Sequence, residues 1–158
     1  MKIGFASDIH RLVDGRKLIL GGVVVPSSFG ELAHSDGDVV YHATAESILG
    51  ALALGDLGTH FPDSDNKYKD MDSSIIVKEV VKMMKDRGYQ VGNIDVSITL
   101  EKPKLKDYIL EMRKNLASLL EVELDSVSIK AGTNEQLDDI GHGLAVKAES
   151  IVLLKEKE

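Results

Sequence analysis

His34-Ser35-Asp36-Gly37-Asp38-Val39-Val40-Tyr41-His42 is the stretch on which the fold turns. Short acids and a glycine pass into apolar residues at helical spacing. That predicts a helix over 36–54, capped by Asp36 or Ser35, with Val39, Val40, Ala43, Leu49 and Leu52 as its stripe and Gly55 as its stop. His42 falls one turn into this helix. Upstream, residues 2–8 read as a strand leading into Asp8-Ile9-His10, and strand alternation puts Asp8 and His10 on one face. A strand edge and a helix can then grip one cation between Asp8, His10 and His42. Three nitrogen or oxygen ligands with a fourth position open describe a working zinc site, not a sealed structural one. On these residues alone another reading stays open, with His10 a surface residue and His42 a satisfied helix histidine. Asp38 and Glu46 lie one turn either side of His42, so either could hold its second ring nitrogen. The acids at 36 and 38 call for a cation or hydrogen-bond donors, or simply complement the helix dipole.

Outward from this stretch, Lys17–Val25 predicts short strands broken at Gly21-Gly22, and residues 56–72 a long loop of a length that is commonly functional. A helix is expected from Ser74 to Arg87, a strand over Ile94–Leu100, a helix over Leu105–Glu121, and strands at Val127–Ala131 and Leu144–Leu154. The fold class is α+β, a mixed sheet with helices packed on one face, in one domain spanning 1–158.

With 43% hydrophobic and 28% charged residues, the chain has the composition of a globular protein. Its 4% aromatic content predicts an aliphatic core. There is no cysteine, so disulfides and thiolate ligands are excluded and any metal must use nitrogen and oxygen. A net charge of −7 speaks against nucleic acid as a partner. No apolar run is long enough for a membrane span, and Met1-Lys2-Ile3-Gly4 enters a strand with no expected signal peptide. A bacterial cytoplasm, or a plastid-type stroma for a mature organellar chain, is the expected compartment.

Two further segments have the makings of a site. Asp56-Leu57-Gly58-Thr59-His60-Phe61-Pro62-Asp63-Ser64-Asp65 suits a loop that hydrogen-bonds polyol hydroxyls, and reads equally as an Asx-rich turn. Ala131-Gly132-Thr133-Asn134-Glu135 follows a strand and suits backbone contact with phosphate beside a divalent-cation ligand, a weak signal alone.

Taken together, Asp-x-His at 8–10, His-Ser-Asp-Gly-Asp at 34–38 with His42, Gly-Asp-x-Gly-x-x-Phe-Pro-Asp at 55–63, Lys-Pro-Lys at 102–104 and Lys-Ala-x-Thr-x-Glu at 130–135 resemble the 2-C-methyl-D-erythritol 2,4-cyclodiphosphate synthase family. The match covers nearly the whole chain in one register. It implies an intramolecular phosphoryl transfer that releases CMP from a cytidine diphospho substrate, in non-mevalonate isoprenoid synthesis. It further implies Zn²⁺ on Asp8, His10 and His42, Mg²⁺ or Mn²⁺ on Glu135, and catalytic donors at His34 and Thr133. Substrate contacts are implied at Asp8, Ile9, His10, His34 and Ser35, and along Asp56, Leu57, Gly58, Phe61, Pro62, Asp63, Ser64 and Asp65. They continue through Leu100, Glu101, Lys102, Pro103, Lys104, Leu105 and Lys106, then Ala131, Gly132, Thr133, Asn134, Glu135 and His142. The implied assembly is a homotrimer with its sheets around a threefold axis and active sites between subunits.

Three places depart from the family pattern. Phe5-Ala6-Ser7 replaces a His-Gly-aromatic run, Glu46 stands where aspartate is usual, and Asp138-Asp139-Ile140-Gly141-His142-Gly143-Leu144-Ala145 replaces a Gly-Phe-x-Gly-Arg-Gly-Glu-Gly stretch. The family's axial cavity is therefore expected to hold an isoprenoid diphosphate less strongly, since His142 is only partly charged at neutral pH. Two rival functions keep the same site: a phosphodiesterase or phosphohydrolase whose zinc activates water, and a zinc-stabilised trimer that binds a nucleotide or isoprenoid without turnover.

Overall fold

Even-numbered residues of the first strand turn inward and odd-numbered ones turn out, which sets the architecture. The structure, a computed structural model, describes residues 1–158. Strand β1 (Lys2–Asp14) continues well past residue 8 and carries Asp8 and His10 within it. Then come β2 (Leu18–Leu20), β3 (Val23–Val25), β4 (Phe29–Glu31), helix α1 (Val39–Ala51), a short helix α2 (Leu57–His60) and α3 (Ser73–Asp86). They are followed by β5 (Tyr89–Thr99), α4 (Ile109–Leu120), β6 (Val127–Gly132), a short α5 (Asp138–Gly141) and β7 (Ala145–Glu156). The main sheet runs β4-β1-β7-β5-β6, and β2 and β3 pair separately. Every pairing in the main sheet is antiparallel except β5 with β6, so the sheet is mixed. No helix is long and apolar enough to cross a membrane.

Helix α1 lies across β1 and β7, and α3 packs beside it and against α4. Residues of α1 are buried almost all round, from Val39 to Leu49 with only Glu46 half-buried, because it sits between the sheet and α3. Its approach to the sheet is close: a Cβ at Gly4 of β1 would run into the carbonyl oxygen of Ser47. Val91, Ile94, Val96, Ile98, Val146, Ala148, Val152 and Leu154 fill the inner face of the sheet, in a core cluster of 35 buried residues. Aliphatic side chains dominate it, as the composition requires. The outer face leaves Ile3, Phe5, Ile9 and Ile151 more than half exposed.

Several element boundaries differ from expectation. Helix α1 starts at Val39, and its cap is Asp38 rather than Asp36 or Ser35. The 56–72 loop contains α2 and a 3-10 turn at Asn66–Tyr68, each capped by an aspartate, Asp56 and Asp65. Strand β5 begins at Tyr89, five residues early, because a bulge at Gly92 lets the ladder continue through a loop-like sequence. The helix expected over 105–121 opens as a 3-10 turn, Lys106–Tyr108, before α4. Strand β4 and helix α5 are too short to leave a periodic signal.

Candidate metal centre and active site

Asp8 and His10, two residues apart on β1, meet His42 of α1, and their ligand atoms all lie within 4.8 Å of one another. The Asp8 Oδ2 is 3.1 Å from His10 Nε2 and 3.4 Å from His42 Nδ1. A tetrahedral ion with bonds of about 2.0–2.1 Å separates its ligand atoms by about 3.3 Å, so the donor set fits such an ion. The other ring nitrogens are engaged. His10 Nδ1 donates to the Gly37 carbonyl at 2.7 Å, which leaves Nε2 free to ligate. Gly37 has φ +83°, and a Cβ there would crowd the Glu31 side chain, so glycine is required to aim that carbonyl.

His42 Nε2 lies 2.8 Å from Ser73 Oγ and 3.1 Å from Ser35 Oγ. Neither Asp38 nor Glu46 holds it, though the sequence allowed either. Asp38 instead accepts from the main-chain N–H groups of Gly21, Gly22 and Tyr41, and Glu46 accepts from Leu57 N–H. A turn either side of a residue on a helix is within reach, but those carboxylates found backbone donors first. Ser73 had no signal in the sequence, since it is 31 residues from His42.

Burial raises the cost of a charge on Asp8, yet the His10 and His42 imidazoles against it hold its carboxyl well below the usual carboxylate range. For His10, burial disfavours the cation, but the Asp8 hydrogen bond prevails and pushes its pKa up. Both shifts report a site that demands positive charge beside Asp8.

A cleft of about 340 Å³ opens over the triad, lined also by His34, Ser35, Glu46, Leu57, Gly58, Phe61 and Asp63. Leu32, Ala33, Tyr68 and Ile76, none of them expected at a site from the sequence, complete the wall. The Ile9 side chain faces the opposite side of the sheet, so only its backbone adjoins the cleft. Pro62, Ser64 and Asp65 belong to the same covering segment, where Phe61 meets Tyr68 edge-to-face at 5.6 Å. His34 Nε2 donates to the Asp65 carbonyl at 3.3 Å, so this covering segment rests on His34. Asp56 is exposed, and the Thr59 hydroxyl and N–H hold its carboxyl below the ordinary value.

A second cleft, of about 500 Å³, is formed by Leu100, Glu101, Pro103, Lys104, Leu105 and Lys106 with Ile109, Ala131, Gly132 and Thr133. Glu101 stitches its rim, accepting from Asn134 N–H at 3.0 Å and Gln136 N–H at 3.2 Å. Glu135 is next to this rim, its N–H donating to Thr133 Oγ1 at 3.4 Å. Lys102 lies on the loop and His142 at the end of α5, outside both clefts. Within one chain, the residues expected to act together thus fall into two groups: the metal triad with His34, and the 100–106 loop with Thr133 and Glu135.

Comparison with known proteins places this geometry. A relative from Brachyspira hyodysenteriae is 47% identical over 99% of both chains, and one from Finegoldia magna is 49% identical over 100% of this chain and 99% of its own. Both are named 2-C-methyl-D-erythritol 2,4-cyclodiphosphate synthase. A solved structure of IspF from Plasmodium falciparum in complex with CDP superposes with a TM-score of 0.87 at 32% identity, over 99% of this chain and 97% of that one. A family model matches residues 1–155, and with the metal triad in place the chain belongs to the YgbB family.

Proposed function

We infer that the chain converts 4-diphosphocytidyl-2-C-methyl-D-erythritol 2-phosphate to 2-C-methyl-D-erythritol 2,4-cyclodiphosphate and CMP, a phosphorus–oxygen lyase step of non-mevalonate isoprenoid synthesis. The observation that carries this reading is the Asp8–His10–His42 triad, its ligand atoms within 4.8 Å of one another in a cleft covered by the 56–72 segment. The named relatives point the same way. Residues 1–158 then constitute one cyclodiphosphate-synthase domain around a continuous core.

The substrate's own 2-phosphate is the nucleophile, so the protein must fold the substrate in line and neutralise charge. Asp8, His10 and His42 would hold Zn²⁺ and Glu135 would hold Mg²⁺ or Mn²⁺, ions that would supply Lewis acidity and countercharge to the diphosphate. His34 and Thr133 donate to phosphoryl oxygens as negative charge builds on them. To do so, His34 exchanges its bond to the Asp65 carbonyl for one to phosphate, which links substrate arrival to movement of the covering segment. Ser35 places the phosphate, and Asp56, Gly58 and Asp63 hold the methylerythritol hydroxyls. The 100–106 loop and Ala131–Thr133 cradle cytosine and ribose, a role supported by the CDP complex of the Plasmodium falciparum protein.

A homotrimer reconciles the two clefts. Register pairs Asp8 with Ala148, Ala148 with Ile98 and Ile98 with Ala131, so both clefts lie at one height on the sheet. They are three inter-strand steps apart, about 14 Å. A rotation about an axis along the strands, with no translation, brings the β6 rim of one chain beside the β1 rim of the next and closes into a ring. The exposed Ile3, Phe5, Ile9 and Ile151 supply an apolar surface for that axis.

The test is ³¹P NMR of the purified protein with substrate, Zn²⁺ and Mg²⁺. CMP with paired cyclic-diphosphate signals is the expected result, and His42→Ala is expected to be silent. CMP with linear phosphates alone would make the protein a hydrolase and overturn the assignment.

A further inference from the structure

Ser73, the first residue of α3, is wholly buried and makes two short polar contacts with different partners. Its hydroxyl donates to Asp36 Oδ1 at 2.5 Å, and its Oγ lies 2.8 Å from His42 Nε2. A serine hydroxyl has one proton and two lone pairs. With the proton given to Asp36, Ser73 Oγ faces His42 as an acceptor, and the imidazole must present Nε2–H to it. The bare nitrogen is then Nδ1, the one 3.4 Å from Asp8 Oδ2.

We propose that Asp36 and Ser73 are positioning residues for the metal centre, acting through the chain Asp36, Ser73, His42 to fix the tautomer and ring orientation of the His42 ligand. The proposal rests on the reading of Asp8, His10 and His42 as a metal site. A carboxylate behind a ligating histidine orients it and raises its basicity, and here a buried serine extends the reach of the carboxylate by one group. Asp36 is itself held, accepting from Asp38 N–H and Ser73 N–H, both at 3.1 Å. Ser35 Oγ also approaches His42, but at 3.1 Å, and its other neighbours are the Gly37 N–H at 3.3 Å and Ser73 Oγ at 3.4 Å, with no carboxylate behind it. The chain ties together segments with separate duties. Asp36 belongs to the loop before α1, and its N–H donates to the Met71 carbonyl at the end of the covering segment. Ser73 follows directly. The joint that anchors the covering segment is the joint that aims the metal ligand.

The experiment is zinc affinity of the apo-protein, by competition with a chromophoric chelator, together with the visible spectrum of the Co²⁺-loaded form. Ser73→Ala is expected to lose about 10–100-fold in zinc affinity and to shift the Co²⁺ bands. Asp36→Asn is expected to weaken binding in the same direction. The double variant should be no weaker than Ser73→Ala, because Asp36 acts through Ser73. Wild-type affinity and spectrum in a folded Ser73→Ala would overturn the proposal, as would fully additive losses. If Ser73→Ala does not fold, an Asp36→Asn protein with wild-type affinity overturns it. The wild type and His42→Ala serve as controls for the underlying reading. Zinc binding that is absent from the wild type, or undiminished in His42→Ala, would defeat the metal site itself and not only its positioning residues.

Discussion

Glu31 has no exposed surface, its Oε2 accepts from Ile19 N–H at 3.2 Å, and its Oε1 has no well-formed hydrogen bond. Burial first, and the neighbouring Asp38 second, push its pKa up to about 9. A raised carboxyl pKa means the folded state holds the proton more tightly than the unfolded chain. Its contribution is complete below the ordinary carboxyl value near 4.5 and is lost as pH rises toward 9. Asp38, raised by burial to about 6, adds a decline at lower pH. The melting temperature of the zinc-loaded protein is therefore expected to fall between pH 6 and pH 9. Glu31→Gln, which keeps the shape and removes the titration, should flatten that fall and melt higher than wild type at pH 9. Parallel curves for the two proteins would refute the assignment. Residues such as Glu31 and Ser73 were illegible in the sequence because their character comes from what folding brings against them. Asp8, His10 and His42 were legible, since a metal site needs particular side chains and strand and helix periods fix where those point.

At the scale of elements, Asp38 joins α1 to the β2–β3 turn. One carboxylate accepts from Tyr41 N–H in the first turn of the helix and from Gly21 and Gly22 across the turn, at 3.1, 2.9 and 2.7 Å. Asp38→Ala removes a helix cap and leaves the buried Gly21 N–H without a partner, while the Gly22 N–H, on an exposed residue, can turn to water. The expected loss is about 2–4 kcal/mol, since a cap contributes about 1 and an orphaned buried donor costs about 1–3. Thermal unfolding should show it as a drop of roughly 8 °C for a chain of this size. A change of under a degree would mean the turn finds other acceptors. The long elements were readable from their apolar period, including the strands broken at Gly21-Gly22. The cap was misplaced because Ser35, Asp36 and Asp38 are all good caps, and only the tertiary partners of each decide among them. Strand β4 was missed for a related reason: its three residues are held by pairing with β1, not by any propensity of Phe29-Gly30-Glu31.

In the whole molecule the metal triad and the 100–106 segment line two separate clefts. Only the family resemblance implied a site between subunits, because motifs are read along a chain and a site between chains is a property of symmetry. We propose that each active site takes its metal ligands from one subunit and its nucleotide pocket from the next. Co-expression of His42→Ala with Thr133→Ala, each inactive alone, tests it directly. In randomly mixed trimers, about one quarter of the sites combine an intact triad with an intact neighbouring pocket, so about one quarter of wild-type activity should return. Mixed trimers that assemble yet stay as silent as their parents would place both halves of the site in one chain and contradict the account.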